Sequence, residues 1–224
     1  MALSVDYNYN YILDLINKNQ AGGLNSEKFQ TFWNAEQAAY MDDLLGRFQS
    51  RNNGKEGVNT GLIQNETILQ KLSPFTKPAT LTITAGQSDK PAGLVYRLGL
   101  RIGNYDVFKI NHSQIASVQQ SVIDPPSATT NTYYFVEYED YYKFFPSTVT
   151  SASLDYIVAP TDVVWGFTYD VDGRQVYDSG TSVQPLWDDN SCREICKRVL
   201  KSIGVTFKDK DFDNFGQSNI VTGD

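Results

Sequence analysis

The chain has 224 residues, 41% of them hydrophobic and 20% charged, enough for one large domain or two small ones without disulfide or metal support. A formal charge of −7 makes a continuous phosphate backbone a poor default partner, because only a local basic face would offset the overall repulsion. The opening Met1-Ala2-Leu3-Ser4-Val5-Asp6 has neither the basic start nor the apolar stretch of a secretory signal, and no run approaches the ~18 apolar residues of a membrane span; a cytoplasm-like compartment is expected.

In chain order, Asn8 to Gln20 places Tyr9, Ile12, Leu13, Leu15 and Ile16 on one broad face at 100° per residue, which predicts a short amphipathic helix stopped by Gly22-Gly23. Asn25 and Ser26 are N-cap candidates for a second helix running to about Gln49. Its stripe is Phe29, Phe32, Trp33, Tyr40, Leu44 and Phe48. Glu36 falls inside that stripe, and a carboxylate there needs a hydrogen-bonding partner or a subunit contact. Ser50 to Gly61 is rich in Gly and Asn and nearly devoid of apolar side chains, so it reads as a loop or arm that orders only against a neighbour. A third helix is predicted from Asn65 to Leu72, ahead of Pro74 and Pro78.

From Thr80 the period becomes two. Leu81, Ile83 and Ala85 alternate with threonines, a turn spans Gly86 to Pro91, and Leu94 to Ile102 reads as the pairing strand. Tyr105 to Ile110 adds a strand, His112 to Val122 a surface helix, and Tyr133–Tyr138 with Tyr141–Phe145 a tight hairpin around Glu139-Asp140. Leu154 to Val158 is a further strand, and Val163–Tyr169 with Arg174–Tyr177 forms a last hairpin through Asp172-Gly173.

Asp188-Asp189-Asn190 then open a helix that gathers Cys192, Ile195, Cys196, Val199, Leu200 and Ile203 on one face and ends at Gly204. Arg193, Lys197, Arg198 and Lys201 form the opposite face against the single acid Glu194, a surface suited to an acidic neighbour or simply to solvent. Phe207, Phe212 and Phe215 give the acidic tail the look of a docking segment. The expected fold is α+β, with N- and C-terminal helices packed as a layer or bundle and an antiparallel sheet or sandwich between them. Residues 1–79 with 187–224 would form the helical subdomain and 80–186 the β subdomain.

Chemistry is sparse. The sequence has no phosphate loop, no dinucleotide fingerprint and no G-x-S-x-G elbow, and His112 is its single histidine. Cys192 and Cys196 lack the further ligands of a metal shell and read as reduced core residues. Asp170, Asp172 and Asp178 lack the later glutamate of a calcium loop, and a hairpin explains them better. No catalytic residue, cofactor or metal is therefore expected. With 14 Tyr and 12 Phe, protein contact is the favoured use of the surface, and the candidates are Tyr133, Tyr134, Tyr138, Tyr141, Tyr142, Arg193, Lys197, Lys201, Phe207, Phe212 and Phe215. The tyrosines beside Glu137, Glu139 and Asp140 also suit a sugar-binding face. A glycan hydrolase would need two carboxylates ~5–9 Å apart in a cleft.

Three blocks carry a resemblance: YNYILDLINKNQAGGLNSEKFQTFWNAEQAAYMDDLLGRFQ, VIDPPSATTNTYYFVEYEDYYKFFP, and LDYIVAPTDVVWGFTYD with VQPLWDDNSCREICKRVLKSIGV. Together they resemble neck and tail ring proteins of tailed bacteriophages, in particular crAss-like and podovirus-like phages of Bacteroidota. The resemblance implies a non-enzymatic virion protein made in the host cytoplasm. It would be a head-to-tail adaptor in a homo-oligomeric ring, twelvefold by resemblance, contacting the portal and other neck or tail proteins. DNA would be a passing, non-specific cargo, with no membrane involved. A carbohydrate-binding or host-recognition module of the same virion is the alternative.

Overall fold

The computed structural model describes residues 3–18, 24–52, 66–123 and 125–206. The chain is mixed α/β, with five α-helices and a large, mostly antiparallel, nearly barrel-closed sheet among the described residues. It divides into a helical unit, residues 1–74 and 160–224, and a β unit, residues 75–159. The 160–186 stretch, assigned from sequence to the β subdomain, thus belongs with the helices.

In the helical unit α1 spans Val5–Lys18, three residues earlier than expected, because Ser4 caps it: the Tyr7 amide donates to Ser4 Oγ at 3.1 Å. The second helix, α2, spans Ser26–Asn52, capped by Asn25, whose Oδ1 accepts from the Lys28 amide at 2.8 Å. It carries Ser50–Asn52, expected as loop, in its last turn; 53–65 lie outside the described residues. The third, α3, covers 66–72 and buries Ile68 and Leu72. The last of this unit, α5, spans Asp189–Thr206 and continues through Gly204 rather than ending there.

These helices meet through aromatic and polar contacts. Tyr9 sits edge-on to Phe29 at 5.2 Å, and Tyr40 edge-on to Trp187 at 5.2 Å. Glu36, the acid in the apolar stripe, accepts a hydrogen bond from Ser202 Oγ on α5, so its partner is a hydroxyl of the same chain. Asp43 binds Arg198 at 2.6 Å, which removes Arg198 from the exposed basic face expected on α5. Burial pushes the Cys192 thiol up to about 12, Asp188 and Asp189 adding to the effect, and raises Cys196 as well. Both are buried cysteines outside any disulfide, with little thiolate to react.

One face of α2 is polar yet turned inward. Asn34 Oδ1 accepts from the Val163 amide at 2.8 Å while its Nδ2 donates to the Val163 carbonyl at 3.2 Å. Gln37 Nε2 donates to Asn34 Oδ1 at 3.0 Å and to the Thr161 carbonyl at 3.1 Å, and Gln30 Nε2 donates to the Trp165 carbonyl at 3.2 Å. Positions 30, 34 and 37 lie on one helical face, so the three amides act as a substitute strand for the extended 161–165 segment. That segment buries Val163 and Trp165, and the Trp165 indole donates to Asp6 Oδ1 at 3.0 Å. The chain then closes on Val183 through one bridge before forming a two-stranded hairpin, β8 (Phe167–Tyr169) with β9 (Gln175–Tyr177). A Cβ at Gly166, at the base of this hairpin, would lie 2.7 Å from the Thr181 carbonyl carbon, so only glycine fits.

The β unit contains β1 (Thr76–Thr82), β2 (Gln87–Asp89), β3 (Leu94–Ile102), β4 (Tyr105–Lys109), β5 (Tyr133–Glu137), β6 (Tyr141–Phe145) and β7 (Ser151–Val158). The order is β1-β7-β3-β4-β5-β6-β2. β7 lies between β1 and β3, which were expected to pair directly, and β4 pairs with β5 in parallel across a long connection. Pro78 is tolerated because β1 is an edge strand. The polar stretch expected as a turn holds β2, which pairs with β6. Ala85 and Gly86, at φ 51° and 76°, reverse the chain from β1 into β2 and bring the two edges of the sheet together.

Two apolar clusters hold this unit. The interior contains Leu81, Leu100, Tyr133, Phe135, Tyr142, Phe144 and Leu154 among others. Outside, Ile110, Val136 and Phe145 are covered by Ile115 and Val118 of α4 (Ile115–Gln119). The surface helix expected over His112–Val122 is therefore shorter, a 3-10 turn at His112–Gln114 followed by α4, and works as a lid on the sheet's outer face.

Candidate functional site

The β5–β6 hairpin forms as its sequence predicts, with the Tyr138 amide donating to the Tyr141 carbonyl at 3.0 Å around Glu139-Asp140. Alternation then divides its tyrosines. Tyr133 and Tyr142 turn inward with Phe135 and Phe144 and are buried, so neither is a contact residue on the folded chain. Tyr134 and Tyr138 pack against the outer cluster under α4. Tyr138 stacks on Tyr141 at 4.5 Å, and His112 meets Tyr138 edge-on at 4.6 Å, giving a half-exposed aromatic group at the hairpin end.

On α5, Arg193, Lys197 and Lys201 recur at four-residue spacing along one side. Arg193 is exposed, and Lys197 pairs with Glu194 at 3.0 Å. Phe207, Phe212 and Phe215 lie outside the described residues. The hairpin acids build no metal loop: Asp170 Oδ1 accepts from the amides of Asp172 and Arg174, and Asp178 from the Gly180 amide. Among the described residues no group of three or more His, Cys, Asp and Glu is placed to hold a metal ion, and no helix is long and apolar enough to cross a membrane.

Sequence reasoning missed a polar mouth on the barrel, at the end where β5 turns into β6. Arg97 would point outward by simple alternation from Leu100. A register shift between Arg97 and Gly99 changes the phase, so Arg97 stands opposite Tyr156 and faces the interior. Its guanidinium lies 4.4 Å from the Phe135 ring centre, and Tyr142 touches the same ring edge-on at 5.7 Å. Glu137, opposite Tyr142, binds Lys109 at 2.6 Å and Lys90 at 3.1 Å, and Lys90 also lies 5.3 Å over the Tyr142 ring. The available signal was the charged residue followed by a glycine inside LVYRLGLRI, a pattern that marks a bulge.

Burial alone would raise the Glu137 carboxyl, but the ammonium groups of Lys109 and Lys90 overrule it and hold the group below the usual carboxylate range. A carboxyl that titrates lower in the folded chain contributes fully above its unfolded value, about pH 4.3. That contribution is lost as pH falls through the folded value. Chemical denaturation at pH 7 and pH 3 should show a larger acid-induced loss of stability for the wild type than for Glu137→Gln; equal losses would show that these pairs carry no pH dependence.

No protein-family model matches the chain, and no curated protein matches its sequence.

Proposed function

We propose that the chain is a non-enzymatic virion protein, a ring or adaptor subunit that joins portal and tail of a tailed bacteriophage and surrounds the DNA conduit. The resemblance of its three sequence blocks motivates the reading, and outward apolar surface in both units is the observation that supports it. Tyr7 and Tyr11 stack in parallel on the open face of α1 at 6.2 Å, and Tyr169 and Val171 project from the β8–β9 hairpin at 67% and 103% exposure. In the β unit, Tyr105 and Phe108 of β4 and the Val122-Ile123 pair are likewise exposed. Tyrosine and phenylalanine are enriched at the core of protein contacts. The helical unit would serve as the hub, the sheet would supply lateral contacts, and net acidity suits a channel through which DNA passes without sticking.

Tyr7→Asp and Tyr169→Asp, at exposed positions, should leave monomers with wild-type circular dichroism that no longer assemble with themselves or with the portal. Full assembly of both variants would remove these faces from the interface. A carbohydrate-binding role for the same virion is the second reading, favoured by the Tyr138–Tyr141 stack beside the exposed acids Glu139 and Asp140. Glycan-array binding abolished by Tyr141→Ala would establish it.

A further inference from the structure

The barrel mouth contains two hydrogen-bonding groups that its own chain does not satisfy. Arg97 Nε and the Tyr142 hydroxyl are buried and have no hydrogen-bond partner, although nearly all buried polar atoms in folded proteins have one. Both belong to side chains that flank Phe135. Arg97 Nε can only donate and the Tyr142 hydroxyl can also donate, so an acceptor within reach of both would satisfy each.

The surrounding charge identifies that acceptor. Glu137 is already engaged by Lys90 and Lys109, and Arg97 has no carboxylate partner among the described residues. Asp89, Glu139 and Asp140 at the same end are exposed, where water and salt screen them. Lys90 and Arg97 are partly sheltered, so their charges act through a lower dielectric. The Tyr142 hydroxyl responds to both Arg97 and Glu137 and, through burial first of all, is pushed up to about 12, so it stays a donor at neutral pH. Arg97 as a whole is partly exposed, while its Nε and the Tyr142 hydroxyl lie beneath the surface, so an anion reaches them only when neighbouring side chains give way.

We propose that this mouth is a binding site for a small anion carrying carboxylate or phosphoryl oxygens, which accepts from Arg97 Nε and the Tyr142 hydroxyl beside Lys90. Mouths of β-barrels are common ligand sites, and charge-assisted hydrogen bonds from arginine give such a site its preference for oxyanions. The assignment uses only the β unit and is independent of the ring-adaptor reading.

The test is thermal unfolding of the full-length protein titrated with acetate or inorganic phosphate, against chloride at matched ionic strength. Wild type should show a saturable rise in Tm with at least one of the two oxyanions, and the more effective one identifies the group. Tyr142→Phe keeps the ring and its packing but removes the donor; it should fold, and its apparent affinity should fall about tenfold or more, as should that of Arg97→Met. Should Arg97→Met fail to fold, Tyr142→Phe decides alone. General salting-out by phosphate is non-saturable and would persist in both variants. A saturable response that survives Tyr142→Phe, or no anion-specific response in wild type, would overturn the proposal.

Discussion

Phe135→Ala is expected to destabilise the β unit by about 3–5 kcal/mol, the usual cost of emptying a buried aromatic site that cannot collapse. Phe135 has no exposed surface, and Tyr142, Phe144 and the Arg97 guanidinium all pack on its ring. Removing it leaves a cavity and also exposes a half-buried cation to an apolar gap, two penalties that act together. Since a typical domain is stable by only ~5–15 kcal/mol, most of the margin would go. Urea unfolding followed by far-ultraviolet circular dichroism measures the shift. A loss under about 1 kcal/mol would mean that the barrel interior is loosely packed and readily refilled.

Asn34→Leu should cost about 2–4 kcal/mol, although it replaces a polar residue on an inward helix face with an apolar one of similar size. The amide and carbonyl of Val163 and one donor of Gln37 lose their partner at once, and each unmade buried bond costs about 1–3 kcal/mol. All three tryptophans of the chain, Trp33, Trp165 and Trp187, lie in the helical unit, so tryptophan fluorescence follows its unfolding directly. Were the 161–165 segment held by burial of Val163 and Trp165 alone, the substitution would be neutral or stabilising, and that result would refute the substitute-strand role of α2.

These two sites show which features the sequence revealed and which it concealed. Helices announced by a cap and a spaced apolar face, such as α2 and α5, and aromatic-rich strands on either side of a polar turn, such as β5 and β6, were legible because the cause is local. The Gln30–Asn34–Gln37 face was not. Polar residues on a helix read as solvated unless the segment that needs them is known, and that segment lies more than 120 positions away. β2 was invisible for a related reason: Gln87-Ser88-Asp89 has no apolar signature and becomes a strand through its ladder with β6. The insertion of β7 between β1 and β3 depends on pairing choices made far along the chain, which propensity does not encode. At the candidate site, the hairpin tyrosines were found but not their facing, and Arg97 was missed because one bulge residue reverses its direction.

Burial of Tyr133 and Tyr142 removes these two from the expected contacts, and the ring-adaptor reading turns instead to exposed side chains such as Tyr7, Tyr11, Phe108 and Tyr169. A heterologous ring needs two different complementary patches on each subunit, and apolar groups on separate elements meet that requirement better than one hairpin would.

Mass measurement of the purified full-length protein, alone and mixed with its portal protein, by native mass spectrometry or light scattering tests the ring-adaptor reading most directly. The reading predicts a closed cyclic assembly of many copies, formed alone or on the portal, with a single defined stoichiometry. A protein that stays monomeric in both conditions, or stops at an isolated twofold dimer that ignores the portal, would contradict it.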